Sequence, residues 1–163
     1  MSDDPLLSIL ILVILTAINA FFAASEIAVI SLSETKLRKQ AEEGDKKAKK
    51  LLALMQAPDN FLSAIQIAIT LAGFLNAAFA ADSFAGPLVN WLVQDLGVTA
   101  IPVGVLNTLM VILVTIILSY FTLVLGELVP KRIAMKKTEG VARATVGAVW
   151  AVATVFRPVI WLL

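Results

Sequence analysis

The stretch IPVGVLNTLMVILVTIILSYFTLVLGELVPK, residues 101–131, decides how this chain folds. Residues 101–125 carry no charge and are dense in Val, Ile and Leu. At about 1.5 Å per residue, ~20 such residues cross the hydrocarbon of a bilayer, so the run reads as a spanning helix that continues to Glu127. Its far end is unusual. Pro130 has no N–H, and its ring collides with the carbonyl four residues earlier, that of Gly126. The helix is expected to break there and leave the Gly126 carbonyl without a helical donor, beside the Glu127 carboxylate. Gly126 also permits close approach of another backbone or an ion. A freed carbonyl next to a carboxylate suits a hard cation. A proline kink with a solvated Glu127 fits the same spacing.

Working outward, residues 6–30 and 61–81 are two more apolar runs of spanning length. The chain is 60% hydrophobic and 15% charged, against roughly 45–50% and 25% in soluble domains. The expected fold class is therefore an all-α membrane protein with three transmembrane helices. The first residues, MSDDPLL, carry acids where a secretory signal carries bases, so the first run is read as retained.

Charge placement sets the orientation. All 13 Lys and Arg fall in residues 36–50 or from Lys131 onward, and the loop expected at 82–100 has none. The positive-inside rule puts 36–50 and the C-terminus in the cytoplasm, with the N-terminus and the 82–100 loop outside. Residues 34–56 read as a cytoplasmic helix or helix pair, with Leu37, Ala41, Ala48, Leu51, Leu52 and Met55 at helical spacing and a turn at Gly44-Asp45. Its lysines can pair with anionic lipid headgroups or simply be solvated. Asp59 or Asn60 is the expected cap of the second span. Residues 141–157 are too short between Arg143 and Arg157 to cross easily, and with Trp150 they read as an interfacial helix, a fourth span being the alternative.

Polar groups within spans are expensive and so point to function. Glu26 and Glu127 lie toward the cytoplasmic ends, and neither is expected to have a Lys or Arg at its own depth. Ser63, Gln66, Thr70, Gly73 and Ala77 share one face of the second span, as helix contact or pathway. Asn19, Ala23, Glu26 and Ser33 share a face by the same count, with Ser25 turned away from it. The chain has neither Cys nor His, so thiolate and imidazole metal sites are excluded and any bound metal is a hard cation on oxygen.

These residues bring a family into view. Asn19-Ala20-Phe21-Phe22-Ala23-Ala24-Ser25-Glu26-Ile27-Ala28, Asp59-Asn60-Phe61-Leu62-Ser63 leading to Gln66-Ile67-Ala68-Ile69-Thr70-Leu71, Gly126-Glu127-Leu128-Val129-Pro130-Lys131, and Phe156-Arg157-Pro158 together resemble the transmembrane domain of the CNNM/CorC magnesium transporters. The resemblance covers nearly the whole chain. It implies a homodimer of three-span subunits with juxtamembrane helices, in the cell membrane, exporting Mg²⁺ with Na⁺ as the coupling ion. It implies that Ser25, Ser63, Gly126 and Glu127 hold the metal, with Glu26, Gln66, Thr70, Pro130 and Lys131 in support. Where many members carry Asn early in the second span, this chain has Ile69 and Gly73. The CBS modules and C-terminal domain usual in the family have no counterpart here; the chain reads as ending inside the linker, and nucleotide regulation is not expected of it. No nucleic acid is expected as a partner.

Two other classes compete. A non-transporting membrane scaffold or divalent-cation sensor would act through the basic helix and the interfacial Trp150. An intramembrane hydrolase using Ser25 with Lys131 as base is disfavoured, because a Lys base must be desolvated; the chain is not read as an enzyme.

Overall fold

A computed structural model describes residues 5–162; the acidic N-terminal residues read as outside the membrane, and residue 163, lie outside the described part. The described residues form eight α-helices and one short π-helical segment. In chain order these are α1 (Pro5–Ile30), α2 (Glu34–Glu42), α3 (Lys46–Gln56), α4 (Pro58–Gln94), α5 (Val103–Leu123), the π segment (Val124–Leu128), α6 (Val129–Lys136), α7 (Thr138–Val155) and α8 (Arg157–Trp161). Three helical stretches are long and apolar enough to cross a membrane: Pro5–Ile30, Pro58–Gln94 and the continuous rod Val103–Lys136. Only a minority of their side chains are buried, and large apolar ones such as Leu10, Phe74 and Ile116 remain exposed, as a lipid-facing surface requires.

Two expectations about the spans need correction. The second helix does not stop near residue 81 but continues through Pro87 to Gln94. Proline removes only one backbone donor, and Phe84 and Leu88 beyond Asp82 still line an apolar cavity with Ile9 and Leu12 of α1 and Val114 of α5. That packing carries the helix past its breaker. Its start is set by Pro58 in the first turn, and no side chain caps it, so neither Asp59 nor Asn60 is the cap.

The third helix does not break at Pro130 either. It widens one turn earlier, where the Val129 N–H reaches the Val124 carbonyl, a π-type bond spanning five residues. The rod then runs on into α6, with Pro130 in its first turn. Nor is the Gly126 carbonyl bare: it accepts a buried hydrogen bond of 3.0 Å from Asn19 Nδ2 on α1. α1 approaches so closely here that a Cβ on Gly126 would lie 3.1 Å from that nitrogen and 3.4 Å from Thr16 Cγ2.

The buried apolar core sits at one end of the bundle. Ala28 and Val29 of α1, Leu37 and Ala41 of α2, Leu51 and Leu54 of α3, Phe61 and Ile65 of α4, Ala134 of α6 and Val146 and Val149 of α7 form one cluster. The 34–56 segment is a helix pair. Gly44 turns it with φ +97°, a left-handed conformation that favours glycine. Asp45 caps α3 by accepting from the N–H groups of Lys47 (2.9 Å) and Ala48 (3.1 Å). Of the six apolar residues noted there, Leu37, Ala41, Ala48 and Leu51 are buried, whereas Leu52 and Met55 pack only partly.

Polar contacts fasten this pair to α7. Arg143 reaches Asp45 at 2.7 Å and donates to Gln40 Oε1 at 3.0 Å, and Lys36 pairs with Glu139. The hydrogen bond from Arg143 is the main reason the Asp45 carboxyl titrates below its ordinary range, and that from Lys36 does the same for Glu139. α7 is one helix of 18 residues, ending before Phe156, and is not among the three spanning stretches.

Two outcomes follow from these contacts. Gly126→Ala should push the Asn19 amide off the carbonyl and lower stability by about 1–3 kcal/mol, read as the unfolding free energy in detergent; an unchanged value would mean that the α1 contact gives way freely. Carboxyls held below their unfolded pKa add stability that is whole above that pKa and lost as pH falls through the folded one. The stability difference between the native chain and Arg143→Gln should therefore hold from neutral pH to about pH 5 and shrink below about pH 4; a difference independent of pH would contradict this.

Candidate cation site

Where the three spanning helices meet, polar side chains replace apolar ones. Asn76 of α4 donates to Thr16 Oγ1 of α1 at 3.1 Å and to Thr122 Oγ1 of α5 at 2.8 Å, so one amide ties all three helices together. Asn19 lies one turn beyond Thr16 and holds the Gly126 carbonyl. A carbonyl can only accept, which fixes Asn19 with its NH₂ toward Gly126 and its own oxygen pointing away. Asn19 Oδ1 and Asn76 Oδ1 are both buried without a hydrogen-bond partner. Each such group costs about 1–3 kcal/mol.

Both amides line a cleft of about 210 Å³, together with Gly73, Ser119, Thr122 and Glu127. Gly73 leaves open space where a side chain would stand. The cleft is thus walled by two amides whose buried oxygens lack donors, two hydroxyl-bearing residues and one acid. Among the described residues no group of three or more Asp, Glu, His or Cys could hold a metal. A cation here would be coordinated mainly by neutral oxygen.

Glu127 extends from the π segment, and the expectation that neither acid has a Lys or Arg at its own depth is overturned. Lys131 Nζ lies 3.1 Å from Glu127 Oε1 and 3.2 Å from Glu26 Oε2. Glu127 and Lys131 are four residues apart and share a face of the rod, while the packing of α6 on α1 brings up Glu26. Lys131 is consequently drawn inward, with 27% of its side chain exposed, whereas the adjacent Arg132 is exposed.

Glu26 also borders a second, more open groove of about 550 Å³, with Ser63, Gln66 and Thr70 along its α4 wall. The residues singled out from sequence therefore fall into two adjoining places. Glu127 lines the cleft and the Gly126 carbonyl lies against Asn19 at its edge. Ser63, Gln66, Thr70 and Glu26 line the groove, and Lys131 joins the two through its paired acids. Ser25 lines neither; it is fully buried and donates to the Phe21 carbonyl of its own helix at 2.7 Å. Pro130 contributes by its place after the π turn rather than by contact. The residues that sequence reasoning missed are Asn76, Thr16 and Thr122, together with the role of Asn19. Asn76 had a signal: it falls three residues after Gly73 and prolongs the 63–66–70–73 stripe. Thr16 and Thr122 look like ordinary helix-interior threonines until the helices are packed.

Comparison with known proteins agrees with this architecture. The family described as the cyclin M transmembrane N-terminal domain matches residues 10–163. The UPF0053 protein sll0260 of Synechocystis sp. is 38% identical over 162 residues, 99% of this chain and 35% of that protein. A UPF0053 protein of Haemophilus influenzae is 31% identical over 164 residues, 100% of this chain and 35% of its own length. A protein of the same organism named polyamine export protein is 28% identical over 155 residues, 94% of this chain and 34% of that one. The chain thus spans about a third of the length of these relatives. With the family match running over almost all of its residues, and three helices long and apolar enough to cross a membrane, the chain belongs to the cyclin M transmembrane domain family.

Proposed function

We propose that this chain transports Mg²⁺ across the cell membrane, exporting it by alternating access with Na⁺ as the coupling ion. One observation carries the reading: a cleft between the three spanning helices is walled by two amides whose buried oxygens lack partners, with Glu127 beside them. A bilayer-spanning bundle gains nothing from unsatisfied acceptors. A dehydrated hard cation would satisfy them and balance the acid.

In this reading the cation first meets the open groove at Glu26, Ser63, Gln66 and Thr70, then passes to the cleft. Ser25, Ser63, the Gly126 carbonyl and Glu127 are the ligands that the family resemblance implies, and gathering them needs α1 and α4 to move. Rotation of the Asn19 amide would uncover the Gly126 carbonyl and turn an amide oxygen toward the ion. Mg²⁺ gives up water reluctantly and requires near-octahedral oxygen at about 2.0–2.1 Å, so a site with neutral oxygens would keep some of its waters. Na⁺ also prefers oxygen, and coupling arises if the two ions favour different arrangements of the helices.

The orientation belongs to the same proposal. The basic helix pair faces the cytoplasm and anionic lipid headgroups, α7 lies at the interface, and two copies assemble as a dimer. A second cargo is supported by a specific contact. The Glu26–Glu127 pair already holds a primary ammonium, that of Lys131, and a polyamine, the cargo named for the Haemophilus relative, presents the same group.

The test is Mg²⁺ flux in proteoliposomes, followed with a magnesium dye, with and without a Na⁺ gradient and with spermidine as competitor. Flux should rise with the Na⁺ gradient, and Glu127→Gln should reduce it at least about tenfold while the protein stays folded, as loss of the charged ligand requires. Normal flux through Glu127→Gln would remove this site from transport. Spermidine movement without Mg²⁺ movement would favour the second cargo.

A further inference from the structure

Lys131 is chemically out of place in a cation pathway. Its ammonium stands within ion-pair distance of carboxylates from two different helices, 3.2 Å from Glu26 and 3.1 Å from Glu127. Each acid opens onto a different cavity, Glu26 onto the groove and Glu127 onto the cleft. Two acids and one base leave a net charge of −1, so an arriving divalent cation meets a pair already half neutralised. The pairing with Glu26 is also imperfect: Glu26 Oε2 is buried yet makes no well-directed hydrogen bond, despite the nearby charge. A long, flexible lysine stem carrying a compact charge is suited to swing away.

We propose that Lys131 is a tethered competitor for the transported cation. Its ammonium occupies the Glu26–Glu127 pair while the site is empty, sparing two partly buried carboxylates from facing each other unbalanced. The cargo must displace it to bind. Lys131 thereby weakens cargo affinity in the resting state and returns to drive the cargo off, which keeps a site of two acids from trapping a divalent ion. This rests on the cation site proposed above and assigns a role to a residue outside the expected ligands.

Two measurements on the purified chain test it, with MgCl₂ as the probe and choline replacing Na⁺ at constant ionic strength. The first is Mg²⁺ affinity by calorimetry for the native chain, Lys131→Met and Lys131→Arg. If the ammonium holds the pair nine-tenths of the time, its removal tightens binding by about tenfold, because apparent affinity scales with the free fraction. Lys131→Met should bind at least that much tighter, and Lys131→Arg no tighter than native. The second needs no variant: the rate at which an amine-reactive reagent labels Lys131, read by mass spectrometry, should rise when Mg²⁺ saturates.

Equal or weaker binding by a folded Lys131→Met, with saturable binding by the native chain, overturns the competitor and leaves the cation site standing. Absence of Mg²⁺ binding in both proteins removes both proposals. Should Lys131→Met fail to fold, labelling decides: a rate unchanged or slowed by Mg²⁺ overturns the competitor.

Discussion

A carbonyl inside a bilayer has no water to turn to, and the hydrogen bond from Asn19 to Gly126 answers that constraint. The π turn shifts the register of the third spanning helix just ahead of Pro130. Gly126, without a side chain, lets α1 come near enough for an amide to serve its carbonyl. The same contact seats Glu127 on the cleft and brings Lys131 back toward Glu26. Remove the close approach and the carboxylate, the ammonium and the amide oxygens lose their common frame.

The molecule divides its cohesion unevenly. Helices α2, α3, α6 and α7 pack with the nearby ends of α1 and α4 into an apolar core, secured by the Arg143 and Lys36 contacts. The spanning segments beyond it present mostly lipid-facing side chains and are joined near their middle by the Asn76 amide and two threonines. Apolar packing continues along the bundle as well, with Leu12 of α1, Ala72, Ala80 and Ala85 of α4 and Leu106 and Val114 of α5 buried between the spanning helices.

Much of this was legible in the chain itself. Uninterrupted apolar runs announced three spans, and Gly44-Asp45 announced the turn between α2 and α3. The Gly-Glu-Leu-Val-Pro-Lys run marked the place where the third helix would be irregular. What it concealed was the form of that irregularity. Local sterics at Pro130 foretold a break, but a helix in lipid preserves its hydrogen bonds by widening one turn before it gives them up. Lys131 was not expected at the depth of Glu26, because spacing along one helix says nothing of a residue on another. The extension of α4 past Asp82 depended on packing against α1, which is likewise invisible in one dimension. Asn76 was within reach, since it continues a stripe already noticed.

Transport as proposed turns on a hard cation in the cleft beside Glu127. Mn²⁺, which shares the oxygen preference of Mg²⁺ and scatters anomalously, locates it directly in crystals of the chain. An anomalous peak is expected between α1, α4 and the π segment, within about 2–3 Å of a Glu127 oxygen. Saturating Mn²⁺ that leaves this cleft empty, or gathers only on exposed acids such as Asp59 and Asp82, would contradict it.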